Sequence, residues 1–123
     1  MRRGDIVTVA VAGDYGKPRP AVVIQSDWLD ETDSVLVCLF TTTRRDTPLY
    51  RLSVDPSPAT GLREPPQIMV DKVTAVRRDR CGAAIGRLKE ADLVALGRML
   101  ALVIGIADKG TALATGIISL GVV

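Results

Sequence analysis

The chain has 123 residues, 47% hydrophobic and 24% charged, which suits a single folded domain and excludes wholesale disorder. Histidine is absent and only 3% of residues are aromatic, which excludes imidazole catalysis, histidine-ligated zinc and base recognition by many stacked rings. The net charge is only +2, but residues 41–87 hold nine Lys or Arg against five Asp or Glu. Such an arginine-rich stretch favours phosphate contacts, although an excess of this size is more often a solvated surface.

The first two-thirds of the chain predict short strands separated by turn residues. An apolar run over residues 20–25 indicates a strand covered on both faces, whereas alternation over residues 49–54 indicates a half-exposed antiparallel strand. Residues 55–66 contain four prolines and a glycine and predict a loop. The other predicted strands cover residues 5–11, 34–41, 67–71, 73–76 and 83–88.

The hydrophobic period then changes to that of a helix. Leu93, Leu96, Leu100 and Val103 share one face, which predicts a helix over about residues 90–108, although Lys89 is a poor N-cap. Short strands followed by one long helix predict an α+β domain, a small twisted barrel with the helix packed on one side.

Residues 109–123 form an apolar tail beyond the predicted domain of residues 1–108. The tail is too short to span a bilayer. Its role is open between a dimer interface, an intramolecular strand and the product of a shifted reading frame. Cys38 and Cys81 are predicted to be reduced thiols, and no apolar stretch of a secretory signal follows Met1, so we expect a cytoplasmic protein with no membrane contact.

Polar residues suited to phosphate chemistry gather at three predicted strand ends. Strand ends of an antiparallel barrel meet at one rim, so these residues can line a groove for an oligonucleotide. Each is weak evidence alone, because a loop aspartate is more often a turn residue and threonines at a strand end reflect β propensity. The three groups are Asp14, Lys17 and Arg19; Thr41, Thr42, Thr43, Arg44 and Arg45; and Asp71 and Lys72.

Five segments occur in an order and at spacings typical of one family. They read RGDIV at 3–7, RPAVVIQSD at 19–27, VCLFTT at 37–42, DKVTAV at 71–76 and IGRL at 85–88. Over residues 2–107 the chain resembles the MazF/PemK/Kid family of endoribonuclease toxins from type II toxin–antitoxin systems. The resemblance implies an SH3-like antiparallel β-barrel of the CcdB/PemK type with one long C-terminal helix. It also implies a homodimer and a cognate acidic antitoxin that competes with RNA for the groove.

The implied activity is sequence-specific, cofactor-free and metal-independent cleavage of single-stranded mRNA, leaving a 2′,3′-cyclic phosphate and a 5′-OH. Arg19 matches the family's catalytic arginine and Thr41 its catalytic threonine. Asp14 and Asp71 lie where different members carry the carboxylate proposed as base. A guanidinium and a hydroxyl suit this role because the pentacoordinate phosphorane concentrates negative charge on its nonbridging oxygens. The implied RNA-binding residues are Lys17, Thr42, Thr43, Arg44 and Lys72.

The chain departs from the family pattern at three positions. Met69 stands where the Kid-like branch has a catalytic arginine, Lys72 replaces the usual glutamine, and Pro18 replaces a polar residue of some members. Two other functions therefore stay open: a CcdB-like DNA gyrase poison without nuclease activity, and a catalytically inactive RNA- or DNA-binding module. CcdB-like chains lack the combination of Arg19 and Thr41, which favours the nuclease.

Overall fold

The computed structural model describes residues 1–10, 17–62 and 65–107. Six strands precede one α-helix, which confirms the α+β class and the C-terminal helix. A single 3-10 turn at Arg78–Arg80 joins the last two strands. The elements are β1 (Asp5–Val9), β2 (Arg19–Val23), β3 (Ser34–Thr41), β4 (Arg51–Ser53), β5 (Gln67–Arg77), β6 (Cys81–Arg87) and α1 (Glu90–Val103).

All strand pairs are antiparallel, and the spatial order is β4-β5-β3-β2-β1-β6. Within the described residues β4 and β6 do not pair with each other, so strand pairing alone leaves the sheet open. The loop after β4 bridges part of this gap, because the Arg87 amide in β6 donates a 2.8 Å hydrogen bond to the Ala59 carbonyl. This contact brings residues 55–62 against the outer edge of β6.

Both faces of the sheet are buried against aliphatic side chains, as the low aromatic content requires. On one face, Leu96 and Met99 of α1 pack against a cluster that includes Ile6, Val22 and Ile68. Alternation along the strands places their neighbours on the opposite face. That second cluster consists of Val7, Val9, Ala21, Val23, Val35, Val37 and Val76, with Leu39 and Cys81 packed against it.

One continuous strand replaces the two strands predicted over residues 67–71 and 73–76. The eleven-residue β5 pairs with β3 along most of its length, and the register between them shifts between Cys38 and Phe40. Asp71 and Lys72 lie exposed at this irregularity. Asp71 and Lys72 therefore mark an irregularity within β5 and not its end. Their side chains are exposed, while β5 pairs with β3 on both sides of them.

The helix is shorter than predicted. It begins at Glu90, with Lys89 as an N-cap that makes no side-chain capping bond, and it ends at Val103 rather than near residue 108. Gly105 adopts a φ of +82°, and its amide donates to the Leu102 carbonyl, which ends the helix in the left-handed conformation that glycine favours. No helix in the described residues is long and apolar enough to cross a bilayer. The apolar tail at 109–123 lies outside those residues.

Candidate active site

A cavity of about 550 Å³ opens where β2 begins and β3 ends. This volume lies within the range of small-ligand sites. Part of the lining comes from β2, from β3 and from the residues that follow β3, and the rest comes from the β4–β5 loop. The described residues that line the cavity are Arg19, Pro20, Phe40, Thr41, Thr42, Thr43, Leu62 and Pro66.

The register of β2 and β3 explains why Arg19 and Thr41 meet in this cavity. Ala21 of β2 is the cross-strand partner of Leu39 in β3. Continued two residues beyond this last pair, the same antiparallel register would place Arg19 opposite Thr41, and side chains at such opposed positions project from the same face. Arg19 is exposed and Thr41 is half-buried. The adjacent strands β2 and β3 therefore contribute a guanidinium and a hydroxyl to the same cavity.

The chemistry of the lining suits an anionic ligand that also has an apolar part. Arg19 is the one charged side chain among the described lining residues. The Thr41 hydroxyl oxygen accepts a 3.2 Å hydrogen bond from the Thr43 amide, and a hydroxyl that accepts in this way keeps its own hydrogen for donation. Phe40 and Leu62 supply apolar surface beside these donors. This combination can bind a phosphate group together with a sugar or a base.

A network of hydrogen bonds behind the cavity holds the segment that follows β3. Gln67, which is buried, accepts from the Arg45 amide at 2.9 Å and donates to the Arg45 carbonyl at 3.0 Å. Arg51, also buried, donates from Nη1 to the Thr43 carbonyl at 3.1 Å. Arg44 donates to the Pro65 carbonyl at 3.2 Å. The threonines of the cavity therefore sit on a braced segment.

Sequence reasoning missed both buried members of this network. Gln67 stands in β5 as the cross-strand partner of Thr41, a relationship that depends on a register the sequence does not reveal. Arg51 occupies a polar position in a segment predicted to be half-exposed, yet only 7% of its surface is accessible. The alternation over residues 49–54 carried no signal that this arginine would point inward.

The structure brings together some of the predicted site residues. Arg19, Thr41, Thr42 and Thr43 line the cavity, and Arg44 lies beside it through its bond to Pro65. Lys17, Asp71 and Lys72 are exposed and are not among the described residues that line it. Asp14 falls outside the described residues.

The carboxylate of Asp71 lies close enough to influence the thiol on the neighbouring strand. Burial, and secondarily the negative charge of Asp71, raise the pKa of the Cys38 thiol to about 12. Cys38 is buried, and both cysteines are free thiols. Within the described residues, no cluster of three or more Asp, Glu or Cys side chains could hold a metal ion.

A second cavity, of about 560 Å³, has the wrong charge for a phosphate. It lies between residues 30–33 and the segment 77–79. Four carboxylates line it, from Asp30, Glu31, Asp33 and Asp79, against the two guanidinium groups of Arg77 and Arg78. The described lining of the cavity at Arg19, by contrast, holds a guanidinium and three threonine hydroxyls and no carboxylate.

Fold and site together define a small protein of one antiparallel sheet and one helix, with a cavity whose described lining carries a guanidinium and threonine hydroxyls suited to an anion. Comparison with known proteins agrees. The family model of the PemK-like, MazF-like toxin of type II toxin-antitoxin systems matches residues 2–104. The chain is 50% identical over 108 residues to the probable endoribonuclease MazF of Mycolicibacterium smegmatis, an alignment that covers 87% of this chain and 99% of that protein. The chain belongs to this PemK-like, MazF-like toxin family.

Solved structures share the fold at low sequence identity. An endoribonuclease in complex with its cognate antitoxin from a mycobacterial species matches with a TM-score of 0.75 at 21% identity, over 88% of this chain and 98% of that one. The Mycobacterium tuberculosis toxin MazF-mt6 matches with a TM-score of 0.70 at 22% identity, over 82% and 96%. MazE-MazF of Deinococcus radiodurans matches with a TM-score of 0.70 at 16% identity, over 87% and 97%.

Proposed function

We propose that this chain is the toxin of a type II toxin–antitoxin pair and acts as a sequence-specific endoribonuclease on single-stranded mRNA. The observation that carries the proposal is that Arg19 and Thr41, from the adjacent strands β2 and β3, line the same cavity. Family membership supports it, as does the 50% identity to a protein named as a probable endoribonuclease. The substrate must be single-stranded there, because a duplex does not splay its bases into a cavity of this size.

The proposed reaction is an internal transfer at phosphorus that needs no metal. A carboxylate removes the proton from a ribose 2′-OH, and the 2′-oxygen then bonds to the adjacent phosphorus. The bond from phosphorus to the 5′-oxygen breaks, and that oxygen takes a proton from solvent water and leaves as a 5′-OH. Two guanidinium N–H groups of Arg19 and the hydroxyl of Thr41 donate to the nonbridging oxygens, whose negative charge grows in the phosphorane.

The base is Asp14 or Asp71 in this proposal. Both were assigned from the family resemblance, and Asp71 is the one within the described residues, exposed on β5. Arg19 acts electrostatically rather than as an acid, because a guanidinium stays protonated near neutral pH. Lys17, Arg44 and Lys72 would contact phosphates on either side of the scissile one, with Thr42 and Thr43 as further hydrogen-bond donors.

Three further features belong to the same proposal. The sheet is an SH3-like barrel that closes through residues 55–62, supported by the bond from the Arg87 amide to Ala59. The toxin is a homodimer, supported by the exposed residues Gly82–Ile85 on the edge strand β6. Its partner in the cytoplasm is an acidic antitoxin, since negative charge is complementary to the cavity at Arg19.

Incubation of the purified chain with total RNA in EDTA tests the proposed function. Discrete fragments with 5′-OH and 2′,3′-cyclic phosphate ends are expected. Intact RNA together with blocked DNA supercoiling by gyrase would instead identify a gyrase poison. Intact RNA that is nevertheless bound would identify an inactive binding module.

A further inference from the structure

Arg51 is a buried cation whose side chain makes one hydrogen bond to the part of the chain that the structure describes. Its side chain leaves β4 with only 7% of the residue exposed, and its cross-strand partner on β5 is the apolar Met69. Nη1 donates to the Thr43 carbonyl at 3.1 Å. Nε is buried without a hydrogen-bond partner. In the described residues the only other buried side-chain atom in this state is Oγ1 of Thr47, four positions earlier in the same segment.

Among the described residues, no carboxylate lies within ion-pair distance of Arg51. Within the described residues, the two ion pairs at 4 Å or less join Arg77 to Asp79 and Arg87 to Asp5. Buried arginines are rare unless they are paired, because removing a charge from water costs several kcal/mol after relaxation. Because the folded state retains this unfavourable desolvation energy, we expect the buried charge to serve a function.

The position of Arg51 indicates what that use is. Thr43, whose carbonyl accepts from Arg51, is itself a lining residue of the cavity. The guanidinium therefore stands directly behind the wall that carries Thr41, Thr42 and Thr43. Since it is shielded from water there, its charge acts on the cavity through a weaker dielectric than an exposed lysine would. Its bond also turns the Thr43 carbonyl oxygen toward β4 instead of toward an anion in the cavity.

We propose that Arg51 is a positioning residue of the anion site: it fixes the Thr41–Thr43 segment and supplies a second, buried positive charge for a phosphate bound beside Arg19. This inference deepens the proposed function and takes its substrate class, a phosphodiester, from it. Arg51 contacts no substrate itself in this scheme. It acts through the Thr43 carbonyl and through its field.

Three variants separate this role from ordinary packing. Arg51→Met removes the charge at similar volume, Arg51→Lys keeps the charge without the planar donors, and Arg77→Met removes one exposed charge far from the cavity as the control. Inorganic phosphate is the probe, and its binding is measured in an NMR titration from the shifts of the Thr41–Thr43 amide signals. Thermal unfolding and the kcat and KM of RNA cleavage are measured on the same samples.

The proposal makes distinct predictions for each measurement. In the unmodified protein phosphate shifts the Thr43 amide, and Arg51→Met weakens phosphate binding at least about tenfold, whereas Arg77→Met leaves it within about twofold. Arg51→Met keeps or raises the Tm, because an uncompensated buried charge is replaced by an apolar side chain. It lowers kcat about tenfold to a hundredfold with a smaller change in KM, and Arg51→Lys recovers part of the loss.

A purely structural arginine gives the opposite pattern. Arg51→Met would then lower the Tm while phosphate affinity stays at the level of the unmodified protein, and this result overturns the proposal. If Arg51→Met does not fold, Arg51→Gln, which also removes the charge, carries the same comparison of phosphate affinity. Should the unmodified chain bind phosphate in an Arg51-dependent way and yet leave RNA intact, the nuclease assignment fails and the anion site stands. If the chain cleaves RNA but substitution of Arg51 changes neither phosphate binding nor kcat, the nuclease assignment stands and the proposed role of Arg51 fails.

Discussion

Gly86 is the position at which one added methyl group tests how the sheet closes. A Cβ atom on Gly86 would lie 2.5 Å from the Ala59 carbonyl oxygen and closer still to backbone atoms of Thr60. Backbone atoms cannot rotate aside, so β6 and residues 55–62 would have to separate by roughly 1 Å to restore ordinary contact. Gly86→Ala therefore probes the contact that brings the β4–β5 loop against β6.

The expected loss of stability follows from this overlap. Overpacking of this kind costs about 1–3 kcal/mol, and each kcal/mol lowers the Tm of a domain near this size by roughly 4 °C. Gly86→Ala is thus expected to lower the Tm by roughly 4–12 °C. Leu62, which lines the cavity, lies at the end of the displaced segment, so cleavage at 25 °C should also fall, by a smaller factor than for a change at Arg19.

Gly82 in the same strand provides the matched control. A Cβ atom there meets the hydroxyl oxygen of Thr8, the end of a side chain that can rotate away. Gly82→Ala should change the free energy of unfolding by less than about 1 kcal/mol. Thermal unfolding followed by circular dichroism compares the two variants directly. Equal Tm values for both, or no loss for Gly86→Ala, would refute the contact between residues 55–62 and β6.

Three further predictions address the thiols, the core and the braced segment. Because its pKa is about 12, Cys38 should resist iodoacetamide at pH 8 in the folded chain, while half-buried Cys81, whose pKa is also raised by burial, should react slowly. The folded chain keeps the Cys38 proton that the unfolded chain releases above pH about 8.5. The free energy of unfolding should therefore fall as the pH rises from about 8.5 toward 12. Ile68→Ala, at a fully buried site beneath α1, should cost about 2–5 kcal/mol in urea unfolding, and a cost under 1 kcal/mol would contradict the packing. Gln67→Ala should cost about 1–3 kcal/mol and lower kcat, since it releases both bonds to the Arg45 backbone; an unchanged kcat would show that the brace does not serve the cavity.

Much of the fold could be predicted from hydrophobic periodicity. β3 has its predicted bounds because residues 35–40 form a continuous apolar run between Ser34 and Thr41, and α1 begins where predicted because Glu90 starts a 3.6-residue pattern. The end of α1 could not be placed, since apolar residues continue past Gly105 and only its positive φ stops the helix. β5 was divided at Asp71 and Lys72 because a polar pair looks the same in a turn and at a strand irregularity.

The site could be predicted in part for a related reason. Arg19 and Thr41 end adjacent strands, so a local pattern was enough to suggest that they meet. Arg51 and Gln67 reach the same site through tertiary contacts. Arg51 is placed by the pairing of β4 with β5, and Gln67 is placed by its cross-strand position opposite Thr41. Neither pairing leaves a trace in local periodicity, and an arginine in an alternating strand ordinarily points to solvent.

A double-mutant cycle on RNA cleavage tests most directly whether Arg19 and Thr41 serve the same phosphate. Cleavage of an oligonucleotide that contains the mapped site should fall about a hundredfold to a thousandfold for Arg19→Ala and about tenfold to a hundredfold for Thr41→Val. The double variant should lose little more than Arg19→Ala alone, because two donors to one transition state fail together. Losses that multiply, or an Arg19→Ala variant that keeps a tenth of the parent rate, would contradict the account.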